Sequence, residues 1–430
     1  MAFKRRDFVQ KMAGLAGFAA LSPFMNSAEG RSLSRALDAY ADCAPETLAG
    51  DEDFWHYVQQ AYTVSANIIN LNNGGVSPQP KIVQEAVEHY NRLSNETPSY
   101  YMWRVLDKGR EGLRLKLANL AGCSPDELAI NRNSSEALET IIFGLRLQAG
   151  DEVVLTKQDY PHMINAWKQR ALRDGIVLKW LNFEFPMTDK EAIVQKFTSA
   201  FTSKTKVVQI THMINWMGQI LPAKEIARAA HARGIEVMVD AAHTFAHLDY
   251  KIPDLECDYF GTSLHKWLCA PFGTGLLYVK KDKIKNLYPL LAADDPESDD
   301  IRKFEHLGTR SFAIEQAIGQ AVNFHEMIGG ERKEKRLRFL KNYWTDKVRE
   351  LPKMHIATAR EPDFSCAIAL LKVAGMEPRQ VHNFLFNEYK IHTVAINWEN
   401  IHGVRITPNV YTRTKDLDRL VDALTVLSRR

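Results

Sequence analysis

The sequence predicts an α/β protein: a large, mostly parallel sheet with helices on both faces, completed by a smaller C-terminal α+β domain. Three observations predict it. Short apolar runs alternate with amphipathic helical stretches through most of the chain, the pattern of parallel strands joined by crossover helices. Two of those runs lead into charged side chains, Asp240 and Lys266, at the strand ends where an open α/β sheet meets its ligands. A chain of 430 residues is long enough for two domains with a sizeable core.

Composition narrows the classes. Hydrophobic residues make up 45% and charged residues 25%, the proportions of a soluble globular protein. The formal net charge is +3, and no Lys/Arg block is dense enough for a nucleic-acid surface. The five cysteines, Cys43, Cys123, Cys257, Cys269 and Cys366, contain no C-x-x-C pair, so neither a disulfide framework nor a zinc site follows. His243 and His247 stand four apart, as metal ligands on a helix face do, but no third ligand accompanies them and no metal is expected.

The elements follow in order. Lys4-Arg5-Arg6-Asp7-Phe8-Val9-Gln10-Lys11 resembles a twin-arginine export signal, with Lys4 where that motif usually has Ser or Thr. The apolar run over 12–25 is shorter than the ~20 residues a spanning helix needs. Basic, apolar and then small residues are the layout of a removable signal, with Asn26-Ser27-Ala28 as its cleavage point. Residues 1–28 are therefore expected to take the protein to the periplasm through the twin-arginine machinery, without stable membrane insertion. Residues 29–65 are expected as an N-terminal segment, 66–325 as the large domain and 326–430 as the small one.

Residues 51–62 read as a helix with an aromatic packing face. A strand over 68–71 enters the turn Asn72-Asn73-Gly74-Gly75, and Pro80 opens a helix to about residue 93. The aromatic cluster Tyr100-Tyr101-Met102-Trp103 reads as packing. A helix over 109–121 stops at Gly122, and 128–130 is a short strand. Asn133 with Glu136 is a helix-start pattern, here for 137–147. Strands are expected over 151–156, 176–181 and 206–211, with helices to about 174 and over 190–198. The helix 222–233 stops at Gly234 and precedes the buried strand 236–239, which Asp240 closes. Strand 258–262 precedes Ser263, His265 and Lys266, and 272–280 is a further strand. The acidic loop 292–300 is a solvated connection. Long helices over 311–328 and 331–350 lead to strands at 366–373, 393–398 and 403–407, with a helix over 378–389.

Asp240 and Lys266 are thus expected to face one crevice. An acid and an amine held apart in this way suit pyridoxal phosphate, which forms an imine with a lysine and pairs its pyridinium nitrogen with a carboxylate. Either residue alone reads as a strand cap or a surface charge. The combination of Asp240-Ala241-Ala242-His243 with Ser263-Leu264-His265-Lys266-Trp267, Pro271 and Gly273-Thr274-Gly275 does not. It resembles the core of the class V aminotransferases, a fold-type I family of pyridoxal phosphate-dependent transferases. That family includes cysteine desulfurases, kynureninases and isopenicillin N epimerases. The resemblance runs from about residue 70 to the C-terminus.

The resemblance implies a role for each residue of the site. Lys266 is the imine lysine, Asp240 the partner of the ring nitrogen, and His243 a neighbour of the ring. Ser263 and His265 contact the phosphate. Ser134 and Ser135 lie at the phosphate loop, where free helix-start N–H groups and hydroxyls suit a dianion. Asn215 meets the cofactor's phenolic oxygen, and Tyr160 or His162 stacks on its ring. Thr309, in Phe304-Glu305-His306-Leu307-Gly308-Thr309-Arg310, matches the residue that reaches a neighbouring subunit's phosphate, which implies a homodimer. Arg405 matches the arginine that forks onto the substrate carboxylate, a role that suits a planar guanidinium.

The implied chemistry starts when an amino acid displaces Lys266, whose freed amine becomes the general base for the α-proton. Transamination, racemisation and loss of a side-chain group all remain open. Desulfurases need a mobile active-site Cys; Cys366 lies in an apolar strand and the segment before Arg405 has none. The stretches around Tyr160 and Lys266 read more like the isopenicillin N epimerase branch. The expectation is an epimerase-like enzyme acting on an amino acid. An aminotransferase, a lyase of the kynureninase or desulfurase type, and a binding module that retains the cofactor without turnover are the alternatives.

Overall fold

A computed structural model describes residues 22–430. The twin-arginine-like stretch and most of the apolar run after it lie outside the described residues. Seven strands form the main sheet: β1 (Leu128–Asn131), β2 (Glu152–Thr156), β3 (Val177–Leu181), β4 (Thr205–Thr211), β5 (Glu236–Asp240), β6 (Tyr259–Ser263) and β7 (Gly275–Val279). Their order is β1-β7-β6-β5-β4-β2-β3. Only β7 runs against its neighbours. The interior strands are buried almost throughout, which is why they read as continuous apolar runs rather than alternating ones. The edge strand β3 is half-exposed.

Register brings the site together. Thr211 of β4 pairs with Asp240 of β5, and Asp240 pairs with Gly261 of β6. The carboxyl ends of these strands therefore share one rim. Across β6 lies the helix Ser134–Gly144. It begins three residues before the expected start, because Asn133 Oδ1 accepts the Glu136 N–H at 2.8 Å and makes Ser134 the first helical residue. Gly261 permits its close approach, since a Cβ there would stand 2.7 Å from Leu138 Cδ2. At the sheet edge, the Ile130 N–H that the ladder leaves free donates to Glu305 Oε1 at 2.6 Å. Arg114 forks onto the same carboxylate at 2.6 and 2.9 Å.

The C-terminal part is a four-stranded antiparallel sheet of β8 (Met354–Ile356), β9 (Ala369–Val373), β10 (Val394–Trp398) and β11 (Ile401–Ile406), in the order β10-β11-β9-β8. Helices Gly330–Val348, Pro378–Tyr389 and Thr414–Ser428 contribute to its core. β8 has too few residues to show a period, so the sequence does not reveal it. β9 starts at Ala369 rather than 366, because the Ala367 N–H donates to His247 Nε2 and not to a strand. Ile69–Asn70 pairs in parallel with Ile391–His392, and Leu71 is buried in the same C-terminal core. That pairing carries the turn at Asn72 to Gly75 into the site.

Residues at the end of the expected signal also pack on the body. Phe24 is buried, Ser22 Oγ donates to Glu85, and Ser27 Oγ accepts the Gly30 N–H at 3.1 Å, capping a helix Ala28–Ala39. Among the described residues, no helix is long and apolar enough to cross a membrane.

Candidate active site

A cavity of about 340 Å³ opens at the rim of β4, β5 and β6 and is closed from above by β10 and β11. Ser134, Ser135, Tyr160, Asn215, Asp240, His243, Ser263, His265, Lys266 and Arg405 all line it. Thr309 does not: it is exposed, on a segment anchored where Arg310 donates to Asp107 at 3.1 Å. Nor does His162, whose ring stacks against Tyr160 at 5.3 Å and 24°, so that of these two it is Tyr160 that reaches the cavity. Tyr100 and Trp103 also lie outside it, with Trp103 edge-on to Phe312 at 4.8 Å.

Asp240 sits at the end of β5, where its Oδ1 accepts the Ala242 N–H at 3.0 Å. Burial raises its pKa, partly offset by that bond and by the Lys266 charge. Lys266 follows β6 on a short turn, and its Nζ lies 3.1 Å from His243 Nε2. Burial pushes the Lys266 amine down to about 8, although the Asp240 carboxylate works the other way. His243 is held neutral by burial and by the Lys266 and Arg405 charges.

This amine sets a pH dependence. A free lysine titrates near ~10.4 and its neutral form is the nucleophile. Lys266 with a pKa of about 8 exposes that form far sooner. The rate at which cofactor-free protein captures pyridoxal phosphate, followed by absorbance, should rise as pH climbs through about 8 and level off above it. A midpoint at the ordinary lysine value would contradict the desolvated setting.

Another part of the lining suits an anion. The Ser134 N–H donates to Ser263 Oγ at 2.9 Å, and Ser263 Oγ donates to Ser134 Oγ at 2.9 Å, tying the helix start to the end of β6. The positive end of the helix dipole lies at this start. His265 Nδ1 donates to the Thr274 carbonyl at 3.1 Å, which fixes its ring. Gly275 is required beneath the helix, because a Cβ would stand 2.6 Å from the Asn133 backbone.

Arg405 reaches in from β11. Its Nη1 donates to the Asn215 carbonyl and its Nη2 to Asn72 Oδ1, each at 2.9 Å. Burial lowers it to about 10. Gly74 lies close beside it: a Cβ there would stand 3.2 Å from Thr407 Cγ2 and 3.6 Å from both Arg405 Cζ and His243 Cε1.

Sequence reasoning missed Asn72, Thr211 and Asp159. The buried Asp159 carboxylate accepts from Thr156 N–H (3.0 Å), Thr156 Oγ1 (2.8 Å), Gln209 Nε2 (3.0 Å) and Thr211 Oγ1 (2.7 Å). It thereby pins the turn that presents Tyr160. Burial lifts its pKa to about 6 against the pull of those bonds. The Asn-Asn-Gly-Gly turn hinted at Asn72; nothing local marks Thr211 as part of the site.

Three buried polar atoms here have no protein partner: Asn215 Oδ1, His243 Nδ1 and Arg405 Nε. Leaving such atoms unpaired costs about 1–3 kcal/mol each, so their convergence on one cavity fits a polar ligand. Pyridoxal phosphate matches the set: a helix start for its phosphate, an acid for its ring nitrogen and an amine for its aldehyde.

Solved structures share this fold. A cystine C–S lyase, C-DES, in complex with cysteine persulfide aligns with a TM-score of 0.76 at 21% identity, covering 84% of this chain and 98% of that one. A cysteine desulfurase from Thermococcus onnurineus aligns at 0.75 and 21%, covering 87% and 98%. In sequence, the isopenicillin N epimerase of Streptomyces clavuligerus is 26% identical over 391 residues, 87% of this chain and 98% of that protein. A probable cysteine desulfurase of Synechocystis is 27% identical over 334 residues, 73% of this chain and 78% of that protein. The fold and the site define a pyridoxal phosphate-dependent enzyme. The chain belongs to the aminotransferase class-V family, whose sequence profile matches residues 69–420.

Proposed function

We propose that this protein is an amino-acid epimerase of the class V family. The observation that carries the reading is the pairing of two proton-handling groups, Lys266 and Tyr160, in one cavity whose lining contains no thiol. All five cysteines lie elsewhere, and Cys366 is fully buried with its pKa pushed up to about 12. Likeness to isopenicillin N epimerases over nearly their whole length supports the same reading.

When bound, pyridoxal phosphate supplies an electron sink that makes the Cα–H bond of an amino acid acidic. Asp240 holds a proton at the ring nitrogen. Arg405 grips the substrate carboxylate and so orients Cα. The Lys266 amine takes the α-proton, and the Tyr160 hydroxyl returns one from the opposite side. In heavy water the enzyme should return inverted amino acid deuterated at Cα, with the cofactor still an aldehyde. Keto acid in proportion to enzyme, with activity restored by an added keto acid, would move the assignment to an aminotransferase.

The reading includes a homodimer in which the exposed Thr309 serves the phosphate of a second copy. It also includes export. Replacing Arg5 and Arg6 together by Lys should strand the protein in the cytoplasm; unchanged periplasmic delivery would remove the signal.

A further inference from the structure

One side of the cavity is apolar and sits directly beside Arg405. In the antiparallel β10–β11 pair, Val394 stands opposite Arg405 and Ile396 opposite Gly403. Directly opposed residues share a face, as do residues two apart on a strand. Val394 and Ile396 therefore flank the guanidinium on its own face, and both line the cavity.

Trp216 continues this wall. It stacks on Trp398 at 5.4 Å and 22°. Both indole N–H groups are already committed to main-chain carbonyls, Trp216 to Gln158 at 3.0 Å and Trp398 to Lys157 at 2.9 Å. The Trp216 indole thus offers the cavity apolar surface and no free donor. Among the described residues lining the cavity, Arg405 is the only Arg and Lys266 the only Lys, and Asp240 is the only carboxylate. With Lys266 and Asp240 given to the cofactor, this chain's own lining leaves no charged group for a substrate side chain.

We propose that the substrate is an α-amino acid with an uncharged, apolar or aromatic side chain, seated on Val394, Ile396 and Trp216 while Arg405 holds its carboxylate. This rests on the Cα-proton chemistry proposed above. A charged side chain would lose its hydration here and find no partner.

The test is Cα-proton exchange in heavy water by the full-length holoenzyme. The panel is glycine, leucine, methionine, phenylalanine, glutamate, 2-aminoadipate and lysine. Leucine, methionine and phenylalanine should exceed the charged members by more than ~10-fold in kcat/KM, the discrimination a shaped apolar pocket achieves. Ile396→Lys, checked for folding by circular dichroism, should raise glutamate relative to leucine by a similar ~10-fold. Exchange of glutamate or 2-aminoadipate as fast as leucine overturns the inference, as does an unchanged ratio in folded Ile396→Lys. Glycine has no side chain and separates the two layers. If glycine exchanges while the apolar side chains gain nothing over charged ones, the substrate class is wrong and the Cα chemistry stands. Exchange with no amino acid sinks both.

Discussion

Lys266→Ala abolishes covalent capture of pyridoxal phosphate and lowers Cα-proton exchange by at least ~10³-fold, within the range a lost general base accounts for. The surroundings of the Lys266 amine suit it to act as a base near neutral pH. Burial brings it down to about 8, and its Nζ lies 3.1 Å from His243 Nε2. Alanine removes the nucleophile and the base together. It leaves the turn intact, because that turn is held by its backbone and by the buried Trp267. Circular dichroism and the melting temperature should therefore stay near the parent's. Removing a desolvated amine also removes its burial cost. Loss of the lysine-bound absorption band with retained folding is the expected pair of results. A variant that keeps the band and still exchanges Cα protons would show that another amine holds the cofactor.

Asp240→Asn lowers exchange by about 10²–10³-fold, the loss seen when one preorganised electrostatic partner is removed from a reacting group. The amide oxygen of Asn can still accept the Ala242 N–H, so the strand end keeps its shape. What disappears is the negative charge that, on the proposed reading, would keep a proton on the ring nitrogen. A second readout makes the assignment specific. Asp240 raises the Lys266 pKa, so without it the amine titrates below its parent value of about 8. The pH midpoint of cofactor capture should move down in Asp240→Asn. An unchanged midpoint together with unchanged exchange would mean that the carboxylate faces neither the amine nor the ring.

Much of this site was legible because its signals are local. A buried strand ending on Asp240 and another running into Ser263, His265 and Lys266 are short patterns in which each residue's neighbours in sequence determine its setting. The helix start at Asn133 was equally readable, but its boundary was not: whether Ser134 is helical depends on where the Asn133 side chain finds its N–H. Asp159 shows the other limit. Its partners Gln209 and Thr211 lie on β4, some 50 residues away in the chain, and no periodicity announces that pairing.

The order of residues was enough for the α/β class, the family likeness and the identity of the acid, the amine and the helix start. These depend on patterns shorter than one βα unit. Folding in three dimensions settled what completes the cavity. The parallel pairing of Ile69–Asn70 with Ile391–His392 delivers Asn72 to Arg405, and the β10–β11 register sets Val394 and Ile396 beside that guanidinium. A strand's side chains change face with every one-residue shift of register, and register is fixed by long-range packing. Asp240, Lys266 and Arg405 could therefore be picked out from the chain, whereas the placing of Val394 and Ile396 beside Arg405 could only be seen once the chain had folded.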